Sequence, residues 1–390
     1  MTSSLLIMIA PAPIEELPDG RLRLDVKFVE GMRLHKAHWN GPVRVILWRG
    51  GDIPFGKDFY VDDLGFDLLI LEQNKNIEAS HLVGAKLVVA SGDMHEALNL
   101  PMLVKASGGR LVYGIEYTLD TRLQIVRLDQ NMPWPRKVRS MLWHLNQERR
   151  RRAAFRAADG IQANGWPAEA AYGHMSRNCL LYLDGRMRST MMATQEETAM
   201  RTARLATGAP LRIVHSGRLE PLKGAQDLIP VARTLVEKNV NFTLDIWGAG
   251  SLAPQIEQEI LVSRLEHQVR LHKPVSFETE LMPIFRRNGD LFLSCHRQSD
   301  PSCSYIEAMG CGLPVIGYAN SMWRSMLEKS GGGAQVPMGD YRALAHGIAQ
   351  WSCDRVELID AGKRALSFAT SHDFETEFER RMDHLKSIAY

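Results

Sequence analysis

Short apolar runs alternate with longer polar or helical stretches along the chain, and they fall into two sets. The first set lies before residue 206 and comprises Leu5–Ala10, Val43–Trp48, Asp67–Leu71, Lys86–Ala90, Leu111–Tyr113 and Gly160–Ala163. The second set comprises Leu211–His215, Thr243–Trp247, Val269–His272, Leu291–Ser294 and Val315–Tyr318. Buried strands that alternate with helices form parallel sheets covered on both faces. The sequence therefore predicts an α/β protein with two Rossmann-like, doubly wound parallel-sheet domains.

The segment 189–210 separates the two sets. It is polar and rich in Thr and Ala, and it contains a glycine and a proline, which is typical of a linker. We predict a first domain over residues 1–206 and a second over 207–372. The last stretch, 373–390, is predicted to be a helix that returns to the first domain through an apolar stripe. The stripe consists of Phe374, Phe378, Met382 and Leu385.

Composition narrows the classes of function. Of the 390 residues, 45% are hydrophobic and 24% are charged, as in soluble globular proteins. A formal net charge of +2 gives no global basicity for nucleic acid, so no nucleic-acid partner is expected. The five cysteines include no CxxC pair, and neither a metal site nor a disulfide framework is predicted. The run Leu5–Ala10 is too short to span a bilayer and lacks a basic flank, so we expect a cytoplasmic protein.

The stretch from Ser294 to Tyr318 has the pattern of a strand end, a loop, a short helix and a strand. Asp300 and Pro301 stop regular structure, and serines after them can cap a helix. Backbone N–H groups at a helix start can bind a phosphate or diphosphate, here those of Ser302, Cys303 and Ser304. Glu307, about one turn in, lies where a carboxylate could hold a ribose diol. The alternative is a capped helix with an incidental glutamate.

This stretch resembles the acid, spacer, acid signature of retaining glycosyltransferases of GT-B fold, specifically glycosyltransferase family four (glycosyl transferases group 1). In that family the second acid, at the position of Glu307, holds the nucleotide ribose. The first acid, at the position of Asp300, contacts the donor sugar. The family's spacer is one residue longer than the one here, and that spacing would place Ser299 first. The resemblance implies two Rossmann-like domains that face a cleft.

A second motif, HSGRLEPLKGAQDLI at residues 215–229, is similar to the family's GR…KG motif. A strand ends at Gly217, Arg218 leaves it, and Lys223 precedes a helix. The resemblance implies that Arg218 and Lys223 bind the donor diphosphate. Cleaving a bond to a nucleoside diphosphate builds charge on the leaving phosphate, and two fixed cations would favour that transition state. Outside this context, an arginine and a lysine would usually be surface charges.

A third motif raises a different class of function. Gly248, Gly250 and Ala253 form a GxGxxA pattern between a strand and a helix, as in a dinucleotide-binding loop. An NAD-dependent oxidoreductase is therefore an alternative, although the next strand does not end in the acid that would hold the adenine ribose. In the resembled family, a glycine loop here lies near the nucleotide. The region of Lys273 and Val275 then lies near the base.

Two acids follow strands of the first half and are candidate catalytic residues. Asp93 lies in the segment 91–95, where the resembled family often has a histidine that touches the sugar, and Glu116 follows the next strand. The alternatives are a helix cap for Asp93 and a polar strand end for Glu116. His35 and His38 lie in a polar region before a strand, and we expect both to be exposed to solvent.

The stretch 136–156 is predicted to lie in a basic helix interleaved with apolar residues. Its cations are Arg136, Lys137, Arg139, Arg149, Arg150, Arg151, Arg152 and Arg156. A basic amphipathic helix can lie on an anionic membrane surface, and many members of the resembled family are peripheral membrane enzymes. The alternative is a solvated helix whose apolar stripe packs on the sheet.

Together the motifs predict a retaining glycosyltransferase that moves a sugar from a nucleoside diphosphate sugar to an acceptor. The acceptor is a polysaccharide, a lipid-linked glycan or a small molecule, and the first domain is expected to bind it. No acidic DxD-type cluster accompanies the phosphate loop, so neither a metal nor a cofactor is predicted. A nucleotide-sugar-binding protein without catalysis is the alternative, because the spacing of the two acids departs from the family pattern.

Overall fold

The computed structural model of the protein describes residues 4–50, 53 and 56–390. Contacts within the chain divide it into two compact units. The first comprises Met1–Leu119, Leu142–Tyr182 and Phe378–Tyr390, and the second comprises Asp120–Met141 and Leu183–Glu377. Each unit has its own sheet and its own hydrophobic core.

The first unit is built on a parallel sheet. Its strands are β1 (Leu5–Glu16), β2 (Leu22–Asp25), β3 (Val43–Arg49), β4 (Gly56–Phe59), β5 (Asp67–Leu71), β6 (Ala85–Ser91), β7 (Arg110–Ile115), β8 (Gly160–Asn164) and β9 (Cys179–Tyr182). Parallel pairing gives the order β5-β3-β1-β6-β7-β8-β9, and β2 and β4 extend the end of β1 as an antiparallel ribbon. The six strands expected in this half are present. The sequence pattern missed β2, β4 and β9, each of which has only four residues.

The second unit contains a sheet of parallel strands alone. They are β10 (Leu211–Ser216), β11 (Phe242–Trp247), β12 (Val269–His272), β13 (Leu291–Ser294), β14 (Val315–Tyr318) and β15 (Gly333–Val336). Their order is β12-β11-β10-β13-β14-β15, which is that of a doubly wound Rossmann sheet. The predicted fold class is thereby confirmed. In such a sheet the winding reverses between β10 and β13, and ligands bind outside the carboxyl ends of the strands at that point.

Helices connect the strands. They are α1 (Val26–His38), α2 (Leu100–Ala106), α3 (Leu119–Leu128), α4 (Trp134–Ala157), α5 (Trp166–Tyr172), α6 (Gln195–Ala206), α7 (Leu228–Glu237), α8 (Ala253–Val262), α9 (Met282–Asn288), α10 (Cys303–Gly310), α11 (Ser321–Ser330), α12 (Tyr341–Cys353), α13 (Arg355–Thr370) and α14 (Phe374–Ala389). Within the described ranges, none of the helices combines the length and apolar character needed to cross a bilayer.

The segment read as a linker contains a regular helix, α6, and the division of the chain lies upstream of it, after Tyr182. Thr194 and Glu197 form a reciprocal capping box at the start of α6, with hydrogen bonds of 3.0 and 3.1 Å. Arg201 then donates hydrogen bonds to the carbonyl groups of Gly312 and Cys311 at 2.7 and 2.8 Å. These buried bonds make α6 part of the second unit.

Buried aliphatic residues hold the second unit together. Its core includes Ile213 of β10, Leu244 of β11 and Leu291 of β13, together with residues of α7 and α12. Full burial of such a side chain contributes about 1.5–3 kcal/mol. The core therefore holds the strand ends, and the loops that leave them, in fixed positions.

His35 of α1 is buried rather than exposed, which corrects the expectation from sequence. It is 5% exposed and lies on the inward face of α1 with Val29 and Met32. The ring of Phe378, from the part of α14 that belongs to this unit, packs edge-on against it with 5.1 Å between centroids. Burial, followed by the charge of Arg381, lowers the pKa of His35 to about 4. The sequence around His35 does not show this burial, because Phe378, which packs on the His35 ring, is distant in the sequence.

Candidate active site

Two loops that leave neighbouring strands meet at the carboxyl edge of the second sheet. Lys223 ends a short 3₁₀ helix that follows β10, and Asp300 lies in the loop after β13. The Lys223 Nζ donates a hydrogen bond to Asp300 Oδ2, and the two side chains are 8% and 12% exposed. The fold thus brings two residues singled out from the sequence into direct contact at the switch point of the sheet.

Gly224 permits this close approach. Its φ is +70°, in the left-handed region that favours glycine, and a Cβ there would lie 1.8 Å from the carbonyl oxygen of Cys295. A larger residue would therefore push the β10 loop away from the β13 loop. Lys223 would then lose its position beside Asp300.

The glycines of the GxGxxA pattern let the loops after β10 and β11 pack together. A Cβ at Gly248 would lie 2.1 Å from the carbonyl oxygen of Gly217, and one at Gly250 would lie 2.5 Å from that of Leu219. Gly217 also donates its amide hydrogen to the carbonyl of Trp247 at 3.1 Å. Close packing of these two loops therefore explains the glycines of the pattern without a bound dinucleotide.

Helix α10 begins beside Asp300. The amide of Ser302 donates to the carbonyl oxygen of Asp300 at 2.8 Å, so it is already engaged, contrary to the expectation that it is open to a phosphate. The helix starts at Cys303, and the hydroxyl oxygens of Ser302 and Ser304 lie 2.8 Å apart. Amides of a first helical turn have no acceptor within the helix. The amides of Cys303 and Ser304 belong to this first turn.

Glu307 is buried in α10 and is paired with an arginine that the sequence pattern did not reveal. Arg186 donates from Nε and Nη2 to Glu307 Oε1 at 3.0 and 2.8 Å. Its guanidinium carbon lies 3.9 Å from the ring centre of Phe277. Arg186 lies in an irregular segment with other cations nearby in sequence, and no local signal distinguishes it from them.

Three further predicted residues lie at the same edge and are exposed. Arg218 follows β10, and Lys273 and Val275 follow β12. The ends of β11 and β12 pack together there, because the ring of His272 stacks on that of Trp247 with 4.5 Å between centroids. The structure thus presents these side chains to solvent from a rigid edge.

Ser299 and Asp300, the two candidates for the first acid position, have different surroundings. Gln124 of α3 accepts a hydrogen bond from the Ser299 amide at 2.9 Å and donates to its hydroxyl at 3.3 Å. The Ser299 hydroxyl also accepts from the amide of Ser321 at 3.2 Å. Ser299 thus fastens the loop, whereas Asp300 directs its carboxylate to Lys223. This contrast favours Asp300 as the functional acid.

In the first unit, Asp93 joins two loops. Its Oδ2 accepts from the amide of Glu116 at 3.0 Å, and its Oδ1 accepts from that of Tyr117 at 3.1 Å. Buried Arg151 donates to the neighbouring carbonyl of Gly92 at 3.0 Å. The Asp93 carboxylate therefore holds the two loops together. The side chain of Glu116 is exposed beside it.

Over residues 4–50, 53 and 56–390, no group of three or more His, Cys, Asp or Glu side chains could hold a metal ion.

Residues 197–366 match the family model described as glycosyl transferases group 1. This match covers less than half of the chain, and over that part the chain is similar to the group 1 glycosyltransferases. Over 185 residues it is 31% identical to the putative colanic acid biosynthesis glycosyltransferase WcaL of Escherichia coli (strain K12), a stretch that is 45% of this chain and 44% of that protein. Over 200 residues it is 28% identical to the amylovoran biosynthesis glycosyltransferase AmsK of Erwinia amylovora, 50% of this chain and 47% of that protein. The chain thus spans less than half the length of the curated relatives it matches.

Solved structures share its fold over nearly the whole chain. Anabaena Alr3699/HepE in complex with UDP-glucose superposes with a TM-score of 0.66 at 14% identity, covering 98% of this chain and 99% of that one. WaaG, a glycosyltransferase involved in lipopolysaccharide biosynthesis, gives a TM-score of 0.60 at 15% identity, covering 97% and 99%. The chain therefore has the GT-B fold, with two Rossmann-like domains.

Proposed function

We propose that this chain is a retaining glycosyltransferase that transfers a sugar from a nucleoside diphosphate sugar to an acceptor. The contact between Lys223 and Asp300 at the switch point carries the proposal. Lys223 supplies a cation for the diphosphate, and Asp300 supplies a carboxylate beside it for the donor sugar. Glu307, in the helix that starts next to them, supplies an acceptor for the ribose.

The chemistry follows from where charge develops. The bond between the anomeric carbon and the diphosphate oxygen breaks, and a bond to the acceptor oxygen forms on the same face. The acceptor proton passes to the leaving diphosphate. Arg218, Lys223 and the first turn of α10 stabilise the charge that develops on that group, so the proposed reaction requires no metal and no cofactor.

The relatives indicate which substrates to test first. HepE was solved with UDP-glucose, with UDP, and with UDP and glucose. The names of WcaL and AmsK refer to the biosynthesis of colanic acid and amylovoran. We therefore propose a UDP-sugar as the donor and a glycan, free or lipid-linked, as the acceptor, with a small molecule as the remaining class.

Calorimetry with UDP and a slow-hydrolysis assay with several UDP-sugars test the proposal. We expect UDP to bind, at least one UDP-sugar to be hydrolysed, and Lys223→Ala to abolish hydrolysis. A protein that binds nucleotide sugars but neither hydrolyses nor transfers them would be the nucleotide-sugar-binding protein considered above. If neither UDP nor any other nucleoside diphosphate binds, both the glycosyltransferase and the nucleotide-sugar-binding protein are refuted.

We also propose that the stretch 136–156 contacts an anionic membrane surface, and the argument rests on its part within the first unit. Leu142, Leu145, Arg149 and Arg156 recur at the spacing of one helical face, and all are exposed. Leu142 is 62% and Leu145 46% exposed. The helix contains one acidic residue, Glu148, which is buried. An exposed face that is both apolar and cationic suits the surface of an anionic bilayer.

A further inference from the structure

An ion pair joins the two loops that carry Lys223 and Asp300. Its members are Asp227, the residue before α7, and Arg297, in the loop after β13. The Arg297 Nη2 donates to Asp227 Oδ1 at 2.9 Å and to Oδ2 at 2.7 Å, and Nε donates to Oδ2 at 3.2 Å. Two nitrogens of one planar guanidinium thus engage the carboxylate, which fixes its direction as well as its distance.

Asp227 is the point at which three parts of the second unit meet. It is 5% exposed, and the hydroxyl of Tyr318, at the end of β14, donates to its Oδ2 at 2.9 Å. Its amide donates to the carbonyl oxygen of Gly224 at 2.9 Å, which closes the turn directly after Lys223. The side chain of Asp227 therefore ties this turn to the loop after β13 and to the end of β14.

Arg297 holds the chain on the other side of Lys223 as well. Its amide donates to the carbonyl oxygen of Leu222, the residue before Lys223, at 3.3 Å. The backbone of Arg297 thus holds the segment before Lys223, and its side chain holds the segment after it. The Lys223 ammonium extends from between these two attachments to the carboxylate of Asp300.

We propose that Arg297 and Asp227 are positioning residues, which fix the place of the Lys223 ammonium. The inference rests on the proposed function, in which Lys223 binds the donor diphosphate, and the sequence motifs give neither residue this role. A lysine has a flexible four-carbon stem, so the place of its charge depends on how firmly its backbone is held. A cation held in advance stabilises the leaving diphosphate without reorganisation during the reaction.

A double-mutant cycle on UDP binding tests this role. Arg297→Lys keeps the charge but removes the planar pair of donors, and it should weaken UDP binding about fivefold, measured by calorimetry. In the background Lys223→Met/Asp300→Leu, which leaves neither charge of that pair buried alone, the same replacement should change UDP affinity less than about twofold. Asp227→Asn should reproduce both results, because it weakens the same ion pair.

Arg286→Lys is the matched control. Arg286 lies in α9 and donates from Nε to Glu197 at 3.2 Å, and the side chains of this pair are 15% and 13% exposed. The replacement weakens an ion pair of the same unit that does not join the two loops. It should leave UDP affinity unchanged in the wild type and in the Lys223→Met/Asp300→Leu background.

The outcomes separate a positioning role from a purely structural one. The Arg297 side chain is 28% exposed, so a lysine there can reach water and the variant should fold. Equal weakening of UDP binding by Arg297→Lys in both backgrounds would overturn the proposal, as would unchanged affinity in Arg297→Lys and Asp227→Asn. Wild-type protein that binds neither UDP nor any other nucleoside diphosphate would instead overturn the proposed function, and the positioning role with it.

Discussion

Arg186 donates two hydrogen bonds to one carboxylate oxygen of Glu307, from Nε at 3.0 Å and from Nη2 at 2.8 Å. In the part of the chain that the structure describes, no hydrogen bond reaches the other oxygen, Oε2. The guanidinium also lies on the ring of Phe277, so its orientation is fixed from a second side. We infer that Arg186 orients Glu307 and leaves Oε2 for a hydroxyl of the ribose.

Arg186→Lys should weaken UDP binding about tenfold, because lysine offers no planar pair of N–H donors and stacks less well on an aromatic ring. The difference in affinity between UDP and 2′-deoxy-UDP or 3′-deoxy-UDP should shrink in this variant, as measured by calorimetry. Arg188→Lys is a matched control, since Arg188 also pairs with a glutamate, Glu375, and lies on a ring, Phe374. Unchanged UDP affinity in Arg186→Lys would contradict the assignment.

Lys223 and Asp300 should behave as a coupled pair in a double-mutant cycle. Lys223→Met leaves the carboxylate of Asp300 nearly buried without a counter-charge, and breaking such a pair costs about 3–5 kcal/mol of unfolding free energy. The double variant Lys223→Met/Asp300→Leu should recover most of that loss in urea unfolding. UDP affinity should fall about tenfold or more in both, because a charge-assisted bond is lost. Losses in Lys223→Met and Asp300→Leu that add up to the loss in the double variant would show that the pair is not coupled.

The ends of the site strands could be predicted because strands of a doubly wound sheet are continuous apolar runs with polar loops after them. The bounds of β12, β13 and β14 matched those runs closely. The nearness of Lys223 to Asp300 follows from the strand order, which places their two strands side by side. Thr194 and Glu197 have the spacing of a capping box, which is a sequence signal for the start of helix α6. The polar composition of the segment nevertheless suggested a linker.

Other features depend on contacts between residues distant in the sequence. Arg186 reaches Glu307 across 121 positions of the chain, and no local pattern separates it from the other arginines of its segment. The ring that packs on His35 belongs to Phe378, in the last helix of the chain.

The basic helix should bind anionic vesicles. Reversing two charges on its exposed face, in Arg149→Glu/Arg156→Glu, should lower the fraction that co-sediments with phosphatidylglycerol-containing vesicles about tenfold at low salt, since each basic residue near the surface contributes about 1 kcal/mol. Vesicles of phosphatidylcholine alone should bind little of either protein. Arg177→Glu, an exposed charge reversal elsewhere in the first unit, should bind like the wild type. Equal sedimentation of the wild type and all variants would show that this face of the helix does not bind the vesicles.

Buried His35 should make the protein sensitive to acid. The pKa of His35 is about 4 in the folded chain and 6.5 ordinarily, so between these values the unfolded chain binds a proton that the folded chain does not. The unfolding free energy should therefore fall as pH falls from 6.5 towards 4, by up to about 1.4 kcal/mol per pH unit for this residue. His215 contributes in the same direction. Urea unfolding of His35→Leu should show a shallower pH dependence than wild type, and exposed His174→Gln an unchanged one.

Glycosyl transfer should proceed with retention and without a metal. The positive charge in the proposed site comes from Arg218, Lys223 and the first turn of α10, so turnover should survive EDTA. Arg218 is exposed, and Arg218→Ala should lower turnover about a hundredfold, by analogy with losing an oxyanion donor, with little change in melting temperature. Asp93→Asn and Glu116→Gln should cost less turnover, and Asp93→Asn should lower the melting temperature because it weakens the bonds between two loops.

Proton NMR of the first product formed decides the stereochemistry. If the leaving diphosphate accepts the proton of the incoming hydroxyl, both groups must lie on one face of the sugar, and the anomeric configuration of the donor is kept. A strong protein base is then unnecessary, which agrees with the modest losses expected at Asp93 and Glu116. An inverted anomeric centre, or activity that vanishes with EDTA and returns with magnesium, would assign the reaction to a different mechanism.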